Sequence, residues 1–164
     1  MRHRIFIAIN LPESVKKDLT SLQVKWPELP CRWTKPENLH ITVDFLGYVS
    51  DGELTGVLQR TEELAESQKS FQVSLSRVCY GPPGKMPPRM VWVTGERVEQ
   101  LGLTPHITLG RIRTWDWRRI EPEERPQIEE DIDLSFDVSS IDVMESRLKR
   151  GGPEYIILES FPLK

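Results

Sequence analysis

The tripeptide His-Ile-Thr occurs twice in this chain, at 40–42 and 106–108, although the sequence has only three histidines. The first copy runs on as HITVDFLG to Gly47 and the second as HITLGRIR to Arg113. Alternation of this kind is a strand pattern, because successive side chains in a strand point to opposite faces. His40, Thr42 and Asp44 then share one face, and Ile41, Val43 and Phe45 share the other. His106 and Thr108 repeat the arrangement, with Ile107 and Leu109 behind them. The apolar residues form the natural core face, so an imidazole and a hydroxyl are turned out of the core together. If the two strands lie side by side about a pseudo-twofold axis, one cleft receives two histidines and two threonines.

That set suits proton transfer around a phosphorus. Histidine both takes and gives a proton near neutrality. Two imidazoles on opposite sides of a phosphoryl group can activate water on one face and protonate a leaving oxygen on the other. Threonine hydroxyls can donate to the non-bridging oxygens and stabilise charge as it shifts. The work is positioning plus proton transfer, so no metal or cofactor is expected. Neither strand carries a carboxylate or cysteine at ligand-like spacing except Asp44. A single such histidine would more often be a hydrogen-bonded structural residue; it is the duplication, with matched apolar residues behind it, that favours chemistry. His3, between Arg2 and Arg4, reads as a surface residue.

The rest of the chain supplies a frame for the two motifs. Residues 4–11 read as a mostly buried strand. Pro12 opens a helix with Val15, Leu19, Leu22 and Trp26 at helical spacing, ending before Pro27. A loop follows, with a short strand around Arg32 and Trp33. Ser50 and Glu53 form a capping-box pattern before a second helix carrying Leu54, Val57, Leu58, Leu64 and Ala65. Strands are expected around 71–75, 90–93, 106–113, 135–147 and 155–161, with an acidic, proline-containing connection over 115–133. Strands returning through turns, with helices carried on one side, indicate an α+β fold with antiparallel pairing.

With 164 residues, the chain fits one domain of two intimately packed lobes. No apolar run approaches the roughly 18 residues of a membrane span. Cys31 and Cys79 form no CxxC pair and read as free thiols, so a reducing, cytoplasmic setting is expected. The net charge of −3 argues against a protein that coats long nucleic acid, yet leaves room for a local site that grips one or a few phosphates.

The paired motifs, with FLG after the first and PHITLGR around the second, resemble those of the two-histidine phosphoesterases. RIFIAINLPESV at the start and WTKPENLHIT before the first motif are similar to the RNA 2′,3′-cyclic phosphodiesterases, a group also named 2′-5′ RNA ligases. The resemblance implies a bilobal α+β fold, with two antiparallel sheets about a central cleft and helices outside. It implies hydrolysis of a terminal 2′,3′-cyclic phosphate to a 2′-phosphate, with 2′-5′ ligation as the reverse reaction. Matched residue by residue, His40 resembles the proton donor to the leaving 3′ oxygen and His106 the acceptor that activates water. Thr42 and Thr108 match the phosphate-holding threonines. Near symmetry makes the opposite assignment of acid and base chemically reasonable.

Two departures stand out. Relatives commonly have a lysine where this chain has Asp44, which either orients His40 or sits at the wet end of the strand. Relatives also place a full helix between the strands around Trp92 and His106. GERVEQLGLTP can form a turn or two at most, which points to a truncated lobe or a break between Val93 and Leu103. A missing helix would leave apolar sheet surface exposed.

Other candidates are less determined. Relatives often carry a basic residue at the Arg111 position. Strict alternation turns Arg111 and Arg113 away from His106, and only a twist or bulge near Gly110 would bring one into the cleft. Trp33, Trp115 and Trp117 are candidates for stacking on a base, although aromatic residues beside strands are more often core. Arg89 is a candidate for the RNA backbone on position alone. The expected partners are RNA ends or cyclic nucleotides bearing a 2′,3′-cyclic phosphate, met by a monomer without a membrane. The competing readings are a phosphodiesterase for a small cyclic nucleotide or 2′-5′ oligonucleotide, and a non-catalytic module that binds RNA ends.

Overall fold

In the computed structural model, which describes residues 1–164, every strand ladder is antiparallel. The strands are β1 (Arg2–Asn10), β2 (Cys31–Trp33), β3 (His40–Ser50), β4 (Phe71–Gly81), β5 (Met90–Gly95), β6 (His106–Ile112), β7 (Glu129–Val138), β8 (Ser140–Lys149) and β9 (Gly152–Pro162). The helices are α1 (Glu13–Gln23), α2 (Asp51–Ser67) and the short α3 (Thr114–Arg118). The strand order β7-β4-β5-β6-β3-β1-β8-β9 divides at its centre, between β6 and β3, and β2 adds to β6. One half holds β7, β4, β5 and β6, and the other holds β3, β1, β8 and β9. The expected two sheets are therefore joined, but only through the pair Ile41 and Ile107.

Each half builds its own core. Helix α1 begins just after Pro12 and buries Val15, Leu19 and Leu22. These pack with Val73, Val91, Val93, Ile107 and Leu109 in the large core of the β6 half. Helix α2 starts at the expected capping box. The Ser50 hydroxyl accepts from the Glu53 amide at 3.2 Å, and the Glu53 carboxylate accepts from the Ser50 amide at 3.1 Å. Its Val57 and Ala65 pack with Ile5, Val49, Val143 and Phe161 beneath the β1 half. Burial of a side chain such as Val or Ile contributes about 1.5–3 kcal/mol, so these two faces dominate the stability of each half.

The connection from β5 to β6 carries no helix and runs unbroken. Gly95 leads into a turn closed by the bridge between Val98 and Leu103, with the Val98 amide donating to the Leu103 carbonyl at 2.7 Å. The expected exposure of the sheet does not follow. Val91 and Val93 are fully buried, because α1, Val98, Leu101, Trp117 and Ile128 fill the space between them.

The single strand expected over 135–147 is two strands. Strand β7 pairs with β4 and β8 pairs with β1, so the chain passes from one half to the other at Ser139. The reason lies in the apolar parity. Phe136 and Val138 are buried at even positions, whereas Ile141 and Val143 are buried at odd ones. One continuous strand cannot keep both pairs on one face.

Candidate active site

The one pair that joins the halves also builds the site. Antiparallel pairing of Ile41 with Ile107 points both isoleucines into the core, where they are buried. The neighbours on either side of that pair are His40 beside Thr108 and Thr42 beside His106, all on the opposite face. The four side chains line a cleft of about 780 Å³. The two histidines and two threonines are thus related by an approximate twofold axis through the isoleucine pair.

Each motif also carries a bulge at the residue after its threonine. On β3, Thr42 pairs with Ala8 and Asp44 with Ile7, which leaves Val43 unpaired. On β6, Thr108 pairs with Trp92 and Gly110 with Val91, which leaves Leu109 unpaired. A bulge reverses the side-chain alternation beyond it. Arg111, turned away from the histidine by strict alternation, is therefore swung into the cleft, where it lies against Met90 at 3.7 Å. The symmetry-related consequence on β3 overturns the expected core position of Phe45. Phe45 pairs with Phe6, lines the cleft and is 55% exposed. Asp44 is displaced from the row of His40 and Thr42, is exposed, and makes no hydrogen bond to His40. Asp44 does not orient His40, and it stands in solvent within β3 where it lines the cleft.

The two imidazoles are held differently. The Asn38 carbonyl accepts from His40 Nδ1 at 2.7 Å, which fixes the proton on Nδ1. The Asn38 side chain in turn donates to the Pro153 carbonyl at 3.0 Å. Neutral His40 therefore presents an unprotonated Nε2, which receives the Thr42 hydroxyl at 2.9 Å. Phe6 and Tyr155 flank the ring at 5.1 and 5.2 Å between centroids. Burial pushes the His40 pKa down, the Asn38 carbonyl opposes that, and the neighbouring His106 charge adds to it. His106 has no side-chain hydrogen bond. It stacks on Trp92 with ring centroids 4.1 Å apart, and burial lowers its pKa.

The second motif is braced from β2 and α1. The Thr34 hydroxyl donates to the Thr108 carbonyl at 2.9 Å. The bulged Leu109 carbonyl accepts from the Thr34 amide at 2.8 Å and the Gln23 side chain at 2.9 Å. Gly110 lets β2 approach, since a Cβ there would collide with Cys31 Sγ and meet the Trp33 ring at 2.9 Å.

Of the remaining candidates, Trp33 lines the cleft. Trp117 is core and stacks under Arg125 at 4.1 Å, whereas Trp115 is exposed outside the cleft. Arg113 pairs with Asp116 at 3.2 Å, and neither it nor Arg89 reaches the cleft. Sequence reasoning missed Arg4, Arg32, Lys35 and Tyr155, which do line it. Tyr155 reaches the cleft opposite Ser146, a placement set by the β8–β9 register. Arg32 and Lys35 lie in a loop whose path no periodicity fixes. With Arg4, Arg32, Lys35 and Arg111 against Asp44 alone, the cleft is cationic in an acidic chain.

The model of the LigT-like phosphoesterase family matches residues 9–92. An RNA 2′,3′-cyclic phosphodiesterase of Methanocaldococcus jannaschii is 26% identical over 178 residues, covering 96% of this chain and 99% of the relative. A Thermus thermophilus protein of the same name is 29% identical over 187 residues, covering 98% and 90%. Among solved structures, one from Thermus thermophilus superposes with a TM-score of 0.84 at 26% identity, covering 98% of this chain and 97% of that one. The Escherichia coli LigT structure with phosphate superposes at 0.78 and 24% identity, covering 99% and 98%, and shares the fold. On this match, spanning both the first motif and the strands that carry it, the chain belongs to the LigT-like phosphoesterase family.

Proposed function

We infer that this chain hydrolyses 2′,3′-cyclic phosphates at RNA ends, the activity for which its relatives are named, and that it leaves a 2′-phosphate. The observation that carries the reading is the convergence of two His-x-Thr strands through the Ile41–Ile107 pair in one cationic cleft. Neutral His106 removes a proton from water as the water attacks phosphorus. The bond from phosphorus to the 3′ oxygen breaks on the opposite side, and protonated His40 delivers its Nε2 proton to that oxygen. The product has a 2′-phosphate and a free 3′ hydroxyl, and the proton taken up by His106 returns to solvent. Thr42, Thr108 and Arg111 hold the non-bridging oxygens.

The surroundings of the histidines support this order of roles. Burial lowers the pKa of both rings, but the Asn38 carbonyl holds the Nδ1 proton of His40 and leaves Nε2 as the atom that gains and gives a proton, whereas no acceptor orients His106. Repulsion between the two charges disfavours protonating both, so a state with one proton on the pair is favoured. With a 5′ hydroxyl in the place of water, the same groups in the same roles join that oxygen to the phosphorus held at the 2′ position, and the 3′ oxygen leaves with the His40 proton.

The two halves meet in one cleft, and we propose that the chain acts as a single domain and a monomer. No helix is long and apolar enough to cross a membrane. Cys31 and Cys79 are unpaired, which suits the proposed reducing, cytoplasmic setting.

The test incubates wild type, His40→Ala and His106→Ala with the four 2′,3′-cyclic mononucleotides and identifies the product isomer. Wild type is expected to yield the 2′-phosphate alone, with turnover lost in both variants while their thermal melts stay cooperative. Binding without turnover by wild type would favour a non-catalytic RNA-end module. Near-wild-type turnover in either variant would reject the acid–base roles.

A further inference from the structure

The face that carries the histidines does not end at the cyclic-phosphate cleft. Beyond Thr42 it continues along β3 and β1 as an open surface on which two aromatic rings stand in solvent, Phe45 at 55% and Tyr48 at 59% exposure. Their shared orientation is built by irregularities in the strand. The bulge at Val43 turns Phe45 onto the histidine face opposite Phe6. A second irregularity, at Leu46 beside the left-handed Gly47 (φ 74°), turns Tyr48 onto the same face opposite Arg4. Without it, Tyr48 would point the other way.

Arg4 completes the surface. Its guanidinium lies 5.3 Å from the centre of the Phe45 ring, makes no hydrogen bond and pairs with no carboxylate. At the other exit from the cleft, Arg32 is already committed to the Gly151 carbonyl. The register measures the reach of the surface. His40 pairs with Asn10, Thr42 with Ala8, Phe45 with Phe6 and Tyr48 with Arg4. At a strand rise of about 3.4 Å per residue, Tyr48 stands ~20 Å along β1 from the position of His40, farther than one nucleotide extends.

We propose that this surface binds the RNA strand on the 5′ side of the cyclic-phosphate nucleotide, with bases stacking on Phe45 and Tyr48 and Arg4 meeting the backbone. It is continuous with the catalytic cleft and opposite in charge to the phosphates. Exposed rings beside a guanidinium with no carboxylate partner match single-stranded nucleic acid, whose bases stack without sequence preference. The inference rests on the proposed function and adds to it the path of the strand upstream of the cyclic-phosphate nucleotide.

The test compares kcat/KM for a 2′,3′-cyclic mononucleotide with that for a short single-stranded RNA ending in the same cyclic nucleotide. Wild type, Tyr48→Ala and Tyr48→Trp are measured at two salt concentrations. The wild type is expected to prefer the oligonucleotide, with a preference that weakens as salt rises. Tyr48→Ala is expected to lower the oligonucleotide-to-mononucleotide ratio about tenfold, the scale of a lost base–aromatic stack, and Tyr48→Trp to restore it. An unchanged ratio in Tyr48→Ala overturns the proposal, as does a wild type with no oligonucleotide preference, while turnover of the mononucleotide leaves the hydrolase reading intact. A wild-type dimer that Tyr48→Ala splits without changing the ratio assigns the surface to a second copy instead. A wild type inactive on both substrates removes the hydrolase reading itself.

Discussion

His40 and His106 are near equivalents in sequence and unlike in surroundings, a difference that the proposed roles of acid and base draw on. His40 is tethered at Nδ1 and boxed by Phe6 and Tyr155, whereas His106 is free at both nitrogens and stacked on Trp92. Both pKa values are lowered by burial. On the proposed roles, activity needs neutral His106 and protonated His40, so kcat/KM falls on the acid side as His106 gains a proton and on the alkaline side as His40 loses one. With both groups shifted down, the bell for kcat/KM is expected to be centred below the free-imidazole value of about 6.5. A profile measured on a 2′,3′-cyclic mononucleotide checks this, and an optimum well above neutrality would contradict the assignment. Trp92→Ala offers a finer reading, since loss of the stack should move the acid limb toward the free-imidazole value and leave the alkaline limb in place.

At the scale of elements, the paired bulges decide which side chains face substrate. Strict alternation places Phe45 in the core and Arg111 outside the cleft, and one unpaired residue per strand reverses both. The bulge on β6 depends on Gly110, which lets β2 lie close enough for Thr34 to bind the displaced carbonyls. Gly110→Ala is therefore expected to destabilise the protein by about 1–3 kcal/mol through overpacking against Cys31 and Trp33, and to lower turnover as β2 withdraws. Urea unfolding and mononucleotide kinetics measure the two effects, and a fully stable, fully active variant would show that the bulge holds without the approach of β2. Much of this level was legible in the chain. The histidine strands, the Ser50 cap and the α1 stripe follow from local spacing. The bulges were not legible, because they arise from pairing between distant strands, and Val43 and Leu109 look like any other apolar residue in an alternating run. The break at Ser139 was readable in principle, since the apolar positions change from even to odd across it.

For the whole molecule, the third histidine matters most away from the cleft. His3, read as a surface residue, is clamped at the sheet's margin. Its Nδ1 lies 2.6 Å from Glu145 and its Nε2 lies 2.5 Å from Asp51, while Arg147 donates to Glu145 at 3.0 Å. The cluster ties β1 to β8 and to the first turn of α2. These partners raise the His3 pKa, and His3 lowers that of Asp51; at Glu145, burial works against the lowering by His3 and Arg147. The His3 contribution is complete below its unfolded pKa of about 6.5 and is lost as pH rises through the raised folded value. The carboxylates contribute above about pH 4 and lose that contribution as pH falls through their lowered values. The melting-temperature gap between wild type and His3→Gln is therefore expected to be widest between about pH 4 and 6.5 and to narrow in alkaline buffer; a gap independent of pH would show that His3 stays uncharged.

The single rung between β3 and β6 has its own consequence. Because so little backbone spans the midline, the spacing of the catalytic rings depends on how the two cores lean together. A phosphoryl group grasped from both sides would act as a rivet across that seam, so that filling the groove and stiffening the molecule would become one event.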